Sequence, residues 1–142
     1  MTIPDLNILL YAMDATSARH EAAKAWLESS LNEASDELGL AWVVHLGFLR
    51  LSTSARVFPQ PLPVDQACAW LDHLREHPAV VPLNPGKAHA GILRHLLLVL
   101  GTGGNLVTDA HLAALALEND ASLVTGDRDF LRFPGVRVQL LF

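Results

Sequence analysis

The chain has 142 residues, 51% of them hydrophobic and 18% charged, with 9 glycines and 8 prolines. A chain of this size fits one domain and holds ample apolar material for a core, which excludes disorder as its main state. Lys plus Arg is 10 and Asp plus Glu is 15, a formal charge of −5. That balance excludes a generic basic coat for nucleic acid, so any nucleic acid must be met by a local patch or a bound cation.

A lone cysteine, Cys68, excludes an internal disulfide and a multi-cysteine metal site, and suits a reducing compartment. The opening MTIPDLNILLYAMD carries Asp5 and Asp14 and lacks the basic flank of a secretion signal. Apolar runs such as LLLVL at 96–100 are far short of the roughly 20 residues a membrane span needs. A cytoplasmic protein is expected, with no membrane partner.

Residues 2–4 read as a short strand that delivers Asp5 to its end. LNILLYAM then suits a short buried helix or a continuation of the strand. From Ser17, a plausible N-cap, the pattern turns helical, with Ala22, Ala25, Trp26 and Ser29 on one face. After the polar stretch 32–39, a short strand near 39–41 is expected to run into a helix over WVVHLGFLRLST. Pro59, Pro61 and Pro63 mark an extended loop, because proline fixes φ and lacks an amide donor. A helix follows with Asp65 near its start and Cys68, Leu71 and Leu74 on its apolar side. Residues 79–83 form a buried-strand candidate closed by Pro85 and Gly86. Helices over 87–100 and 105–118 are separated by GTGG. SLVT at 122–125 is a strand, GDRDF a turn and VRVQLLF a last strand. Strands alternating with helices imply a mostly parallel sheet flanked by helices, a three-layer α/β fold.

In such sheets ligands gather beyond the C-terminal strand ends. Asp5 follows the first strand, Asp127 and Asp129 follow SLVT, and Asp109 opens the helix that leads into SLVT. Singly, each has a structural explanation as a helix cap or turn residue. If the two strands are neighbours, the carboxylates converge, and each close pair repels by about 4 kcal/mol at an effective dielectric of 20. Protons or a cation must then neutralise them, and hard oxygen ligands select Mg²⁺ or Mn²⁺. Carboxylates around such an ion suit phosphodiester hydrolysis.

Four blocks carry a resemblance to a known family: DLNILLYAMD, RHEAAKAWLE, the middle segments GFLRLST and ARVFPQPLPVDQA, and above all GNLVTDAHLAALALENDASLVTGDRDFLRFPGVRV. In these the chain resembles the PIN-domain family and, within it, VapC-type ribonuclease toxins of toxin–antitoxin pairs. The resemblance implies a single α/β/α PIN domain over 1–142 and a Mg²⁺-dependent endoribonuclease (Mn²⁺ possible). It implies a VapB-like antitoxin partner, an RNA substrate and a homodimer. By position, Asp5, Asp109 and Asp127 would be the catalytic acids and metal ligands, with Asp129 a further ligand. Arg50 and Arg128 would meet substrate phosphate, unless Arg50 merely forms an ion pair on its helix. Thr108 and Asn105 read as helix caps or as residues placing a water on the metal.

One departure stands out. Many relatives carry Glu in the second conserved segment, where this chain has Gly47. His45 lies about 200° around the helix and is a poor substitute. Gly47 keeps open an alternative: a catalytically weak PIN module that mainly binds an antitoxin and, through it, operator DNA. A phosphatase of the haloacid-dehalogenase type needs a second Asp where this chain has Asn7, and GTGGN matches neither the P-loop nor the dinucleotide fingerprint. The histidines read mostly as surface or packing residues, and His111, two residues after Asp109, is the one weighed against the acidic site. Trp26, Trp42 and Trp70 lack interleaved basic neighbours, so they read as core or interface residues, as does Cys68.

Overall fold

The computed structural model describes residues 1–33 and 36–142. Residues 34 and 35, inside the polar stretch, lie outside the described residues. The chain runs β1 (Thr2–Pro4), α1 (Leu6–Met13), α2 (His20–Asn32), β2 (Leu38–Ala41), α3 (Trp42–Ser52), α4 (Val64–Glu76), β3 (Val80–Leu83), α5 (His89–Leu100), α6 (Leu106–Glu118), β4 (Ser122–Thr125), a 3-10 turn at Arg128–Arg132 and β5 (Arg137–Leu140). The five strands pair in the order β3-β2-β1-β4-β5, every pair parallel. The sheet is thus wholly parallel rather than mostly so.

That order fixes where the helices go. The chain steps outward from β1 through β2 to β3, then returns past β1 to β4 and β5. Right-handed crossovers put helices of opposite step direction on opposite faces of a sheet. Accordingly α1 packs on α2 and α3, and α3 on α4, while α5 and α6 pair with each other. The three-layer α/β arrangement follows. Direction reverses between β1 and β4, and at that point the strand ends leave a crevice.

The core is formed by Ile3, Leu38 and Leu123 from the strands, Leu9, Phe48, Leu71 and Leu96 from the helices, and the small face of α6 with Ala113, Ala114 and Ala116. Alanines on α6 let that helix lie close to the sheet. Pro4, without an amide donor, sits at the last position of central strand β1, and hydrogen bonding resumes with Asp5 N donating to Val124 O at 2.8 Å. Gly101 ends α5 at φ +70, the left-handed conformation that glycine adopts without strain.

Several local expectations differ. The second helix begins at His20, not Ser17: Arg19 occupies the cap position, and Ser17 instead accepts the Arg19 amide in the preceding turn. Its buried face is the i, i+4 pair Ala23 and Leu27, with Trp26 and Ser30 half-buried beside them, while Ala22 and Ala25 are exposed. Cys68 is only partly buried, and Ala67 holds the core position beside Leu71 and Leu74. LNILLYAM is a helix, not a strand continuation, since Asp5 accepts the Leu6 amide and starts it.

Candidate metal-binding cleft

Asp5 leaves β1 at its C-terminal end, and the β1–β4 register of Pro4 with Val124 sets it level with Thr125. Thr125 is fully buried and donates its hydroxyl to Asp5 Oδ2 at 2.7 Å. Asp5 Oδ1 accepts the Leu6 amide at 2.7 Å. The carboxylate is therefore fixed from both sides, yet each oxygen keeps a lone pair for another ligand. Thr125 Oγ1 also accepts the Asp127 amide at 2.9 Å, so one hydroxyl sets the positions of two acids. Asn7 Oδ1 accepts the Gly126 amide at 3.3 Å and ties α1 to the same turn. Thr125, the last residue of SLVT, carries no sequence signal of this double role beyond its place just before the acidic turn.

Asp109 lies inside the first turn of α6 and does not cap it. The cap position is Asn105, whose side chain makes no capping bond, so neither residue serves as the cap considered from sequence. Asp109 shares with Asp5 a cleft of about 90 Å³, walled by Leu6, Val43, Val44, Thr108 and Leu112. Asp127 is half-buried and caps the 3-10 turn by accepting the Asp129 amide at 2.9 Å, while Asp129 is exposed beyond it.

Electrostatics shows that the four acids share one field. Burial, then the charges of Asp5, Asp127 and Asp129, push the Asp109 carboxyl up to about 6. Burial also raises Asp5, against the lowering by its bonds from Thr125 and Leu6, and Asp127 adds repulsion. Among the described residues no three Asp, Glu, His or Cys side chains close into a ready metal cage. The carboxylates are near enough to repel and are not gathered into a shell. Their chemistry fits a hard divalent cation: anionic oxygens with free lone pairs, whose mutual repulsion a cation relieves.

Gly47 has a physical explanation. It is buried in α3, and a Cβ there would stand 2.6 Å from Leu6 Cδ2. The space a side chain would need is filled by Leu6, an apolar wall of the cleft. Arg50 and Arg128 are both exposed, and among the described residues neither forms an ion pair, so the helix-stabilising pair considered for Arg50 is not made. His111 turns away from the cleft. Its Nδ1 lies 2.8 Å from Nε2 of His89, and His89 Nδ1 lies 2.8 Å from Glu118 Oε1, a chain that locks α5 to α6.

A family model described as PIN domain matches residues 2–136. The chain belongs to the PIN-domain family. Within it, the chain is similar over 96% of its length to VapC ribonucleases of Mycobacterium tuberculosis. It is 48% identical to Ribonuclease VapC37 (strain ATCC 25618 / H37Rv), covering 94% of that protein. It is 40% identical to Ribonuclease VapC33 (strain CDC 1551 / Oshkosh), covering 95%. The fold matches VapBC2 from Rickettsia felis, solved bound to a DNA fragment from their promoter, with TM-score 0.72 at 19% identity over 98% of this chain and 97% of that one. It also matches VapBC-1 from nontypeable Haemophilus influenzae, with TM-score 0.69 at 20% identity over 99% and 97%. At these identities the solved structures attest the PIN fold, and the VapC relatives place the chain in the family to which its sequence motifs pointed.

Proposed function

We propose that the chain is the toxin of a VapBC-type pair, a divalent-metal-dependent endoribonuclease acting in the cytoplasm as a single PIN domain. The observation that carries this reading is the shared field of Asp5, Asp109, Asp127 and Asp129 at the β1–β4 reversal, with Asp5 and Asp127 fixed by Thr125. Similarity to proteins named ribonuclease supports the substrate class.

In this reading Asp5 and Asp109 are the main ligands of Mg²⁺ or Mn²⁺, Asp127 completes the set and Asp129 adds charge at the rim. When bound, the cation supplies Lewis-acid polarisation of the scissile phosphodiester and offsets the charge that grows as water attacks phosphorus. Thr125 and the Leu6 amide hold Asp5 in one orientation, which removes the cost of ordering it during reaction. Thr108 presents a hydroxyl at the cleft wall, and Leu6, Val43 and Leu112 keep that wall apolar, strengthening electrostatics inside it. Arg50 and Arg128, free of ion pairs among the described residues, are available to phosphates of the strand. The test is cleavage of end-labelled total RNA with Mg²⁺, with Mn²⁺ and with EDTA, beside Asp109→Asn. Metal-dependent cuts lost in the variant establish the site; no cuts by a folded, metal-binding protein overturn it.

The partners follow from the same relationship: a VapB-like antitoxin and a second copy of the chain. Between α2 and α4 runs an open apolar groove of about 560 Å³, lined by Leu27, Leu31, Ala69, Trp70 and Leu74 with Lys24 and Glu28 at its edge. An amphipathic antitoxin helix would cover such a groove. Leu31→Glu is expected to weaken antitoxin capture in a pull-down while RNA cleavage by the free chain stays unchanged. The second reading, a weakly catalytic module that works through its antitoxin, is favoured by Leu6 occupying the place of an extra carboxylate beside Gly47.

A further inference from the structure

Trp42 is 45% exposed, an unusual position for the largest apolar side chain. It opens α3 directly after β2, and the register Thr2 with Leu38 on β1–β2 sets Asp5 level with Ala41. The Trp42 backbone therefore stands at the same rim of the sheet as Asp5, one strand over, while the pocket beside its indole runs along β2 and β3 toward Val80. The two sites even share a helix turn, because Val43 lines the cleft while Trp42 and His45 line a separate pocket.

That pocket, about 70 Å³, is walled by Trp42, His45 and Arg75 over a floor of Leu40, Val80 and Pro82. The Arg75 guanidinium, reaching across from α4, lies over the indole at 5.3 Å from its centroid. Among the described residues Arg75 makes no salt bridge, so its charge is spent on the ring. The His45 ring stands 4.9 Å from the indole at 51°. Burial and then the Arg75 charge lower His45, against the raising effect of nearby Asp72, which keeps the imidazole neutral and able to stack at neutral pH. A neutral imidazole and a planar cation against one exposed indole make a surface that takes a flat ring.

We propose that Trp42, Arg75 and His45 form a stacking subsite for one unpaired base of the RNA strand whose backbone enters the acidic cleft. This deepens the endoribonuclease reading and rests on it. The base takes the place of the guanidinium against the indole, and Arg75, on a flexible exposed stem, stacks on its outer face. Trp42 is then a specificity-determining residue that holds the strand without touching the reacting phosphate. It favours unpaired over duplex RNA, since a paired base does not offer its faces.

The experiment uses the full chain in EDTA and two fluorescein-labelled decamers, one of uridine and one of the same length with abasic ribose. Anisotropy titrations compare wild type with Trp42→Ala, Trp42→Phe and Arg75→Lys. Trp42→Ala is expected to weaken the uridine decamer about ten-fold or more while leaving the abasic decamer within about two-fold. Trp42→Phe keeps most of the affinity, and should Trp42→Ala misfold, Arg75→Lys carries the test by losing the planar stack while keeping the charge. Equal losses on both decamers, no loss on either, or no binding of either by wild type overturns the subsite. So does Trp42-dependent capture of a protein partner with no base-dependent binding. Base-dependent binding without metal-dependent cleavage overturns the nuclease reading alone, and cleavage without base-dependent binding overturns the subsite alone.

Discussion

Two regions of one sheet rim are built in opposite ways. At the β1–β4 junction, acids that repel are held by short hydrogen bonds: Thr125 Oγ1 to Asp5 at 2.7 Å, Leu6 N to Asp5 at 2.7 Å and Asp127 N to Thr125 Oγ1 at 2.9 Å. At the β2 exit, an exposed indole is held by the stacking of Arg75 and His45. The first region concentrates unfavourable charge in a partly buried cleft, an arrangement that a cation would stabilise. The second leaves an apolar ring in water, which a planar ligand would cover. Each region is locally costly, and each cost points to what would relieve it.

The comparison is most easily broken at the acids. Asp5→Asn or Asp109→Asn is expected to cut RNA cleavage at least a hundred-fold in single-turnover assays with Mg²⁺, with the fold intact by circular dichroism. Retained cleavage would remove the cleft from the chemistry. Thr125→Val comes next, because it deletes the donor to Asp5 and the acceptor of the Asp127 amide together. A stability loss of about 1–3 kcal/mol in urea and a fall in cleavage of about ten-fold or more are expected. A loss of stability with full activity would show that Thr125 only holds the fold.

The charge side of the comparison is sharpened by pH. Asp109 titrates near 6 in the fold, above the ordinary 3.8, so the folded state binds the proton more tightly than the unfolded chain. The destabilisation from its charge is fully present above about pH 6 and fades as pH falls toward 3.8. Burial lowers His45 and His111, which destabilises the fold as pH falls below 6.5, so the effect is read as a difference: between pH 7 and pH 5 the melting temperature in EDTA should gain a few degrees in the wild type relative to Asp109→Asn. Asp36 and Asp120 do not compete in this window. Their carboxyls are lowered, by bonding to the N-terminus and to Arg137, so their stabilisation is lost only below about 3.8.

The smallest effect is expected at Gly47. Gly47→Ala gains about 1 kcal/mol of helix propensity and must push aside Leu6 Cδ2, the end of a movable side chain. Net stability should stay within about 1 kcal/mol by urea unfolding. A loss above about 3 kcal/mol would mean that Leu6 is pinned and that the cleft wall is rigid.

Much of the acidic cleft was legible because its parts are local. Asp5 follows three strand residues, Asp109 opens an Ala-rich helix and Asp127 follows SLVT, and each placement needs only periodicity and turn chemistry. The strand order that brings them together was an assumption from sequence, and the β1–β4 pairing supplies it. The contact between Trp42 and Arg75 was not legible for the opposite reason. Trp42 has no basic neighbour in sequence, and Arg75 reaches it only because α3 packs on α4. His111 likewise appeared close to the acids, two residues after Asp109, yet helical geometry turns it to His89.

The sequence by itself determined the parallel α/β class, the acids at the strand ends and the proline loop, because hydrophobic period, turn residues and backbone limits act over a few residues. Tertiary structure alone decided that one threonine hydroxyl sets two acids, that Leu6 fills the room left by Gly47 and that a distant arginine covers Trp42. Those facts depend on which elements meet across the sheet, and contact between residues far apart in the chain leaves no periodic trace along it.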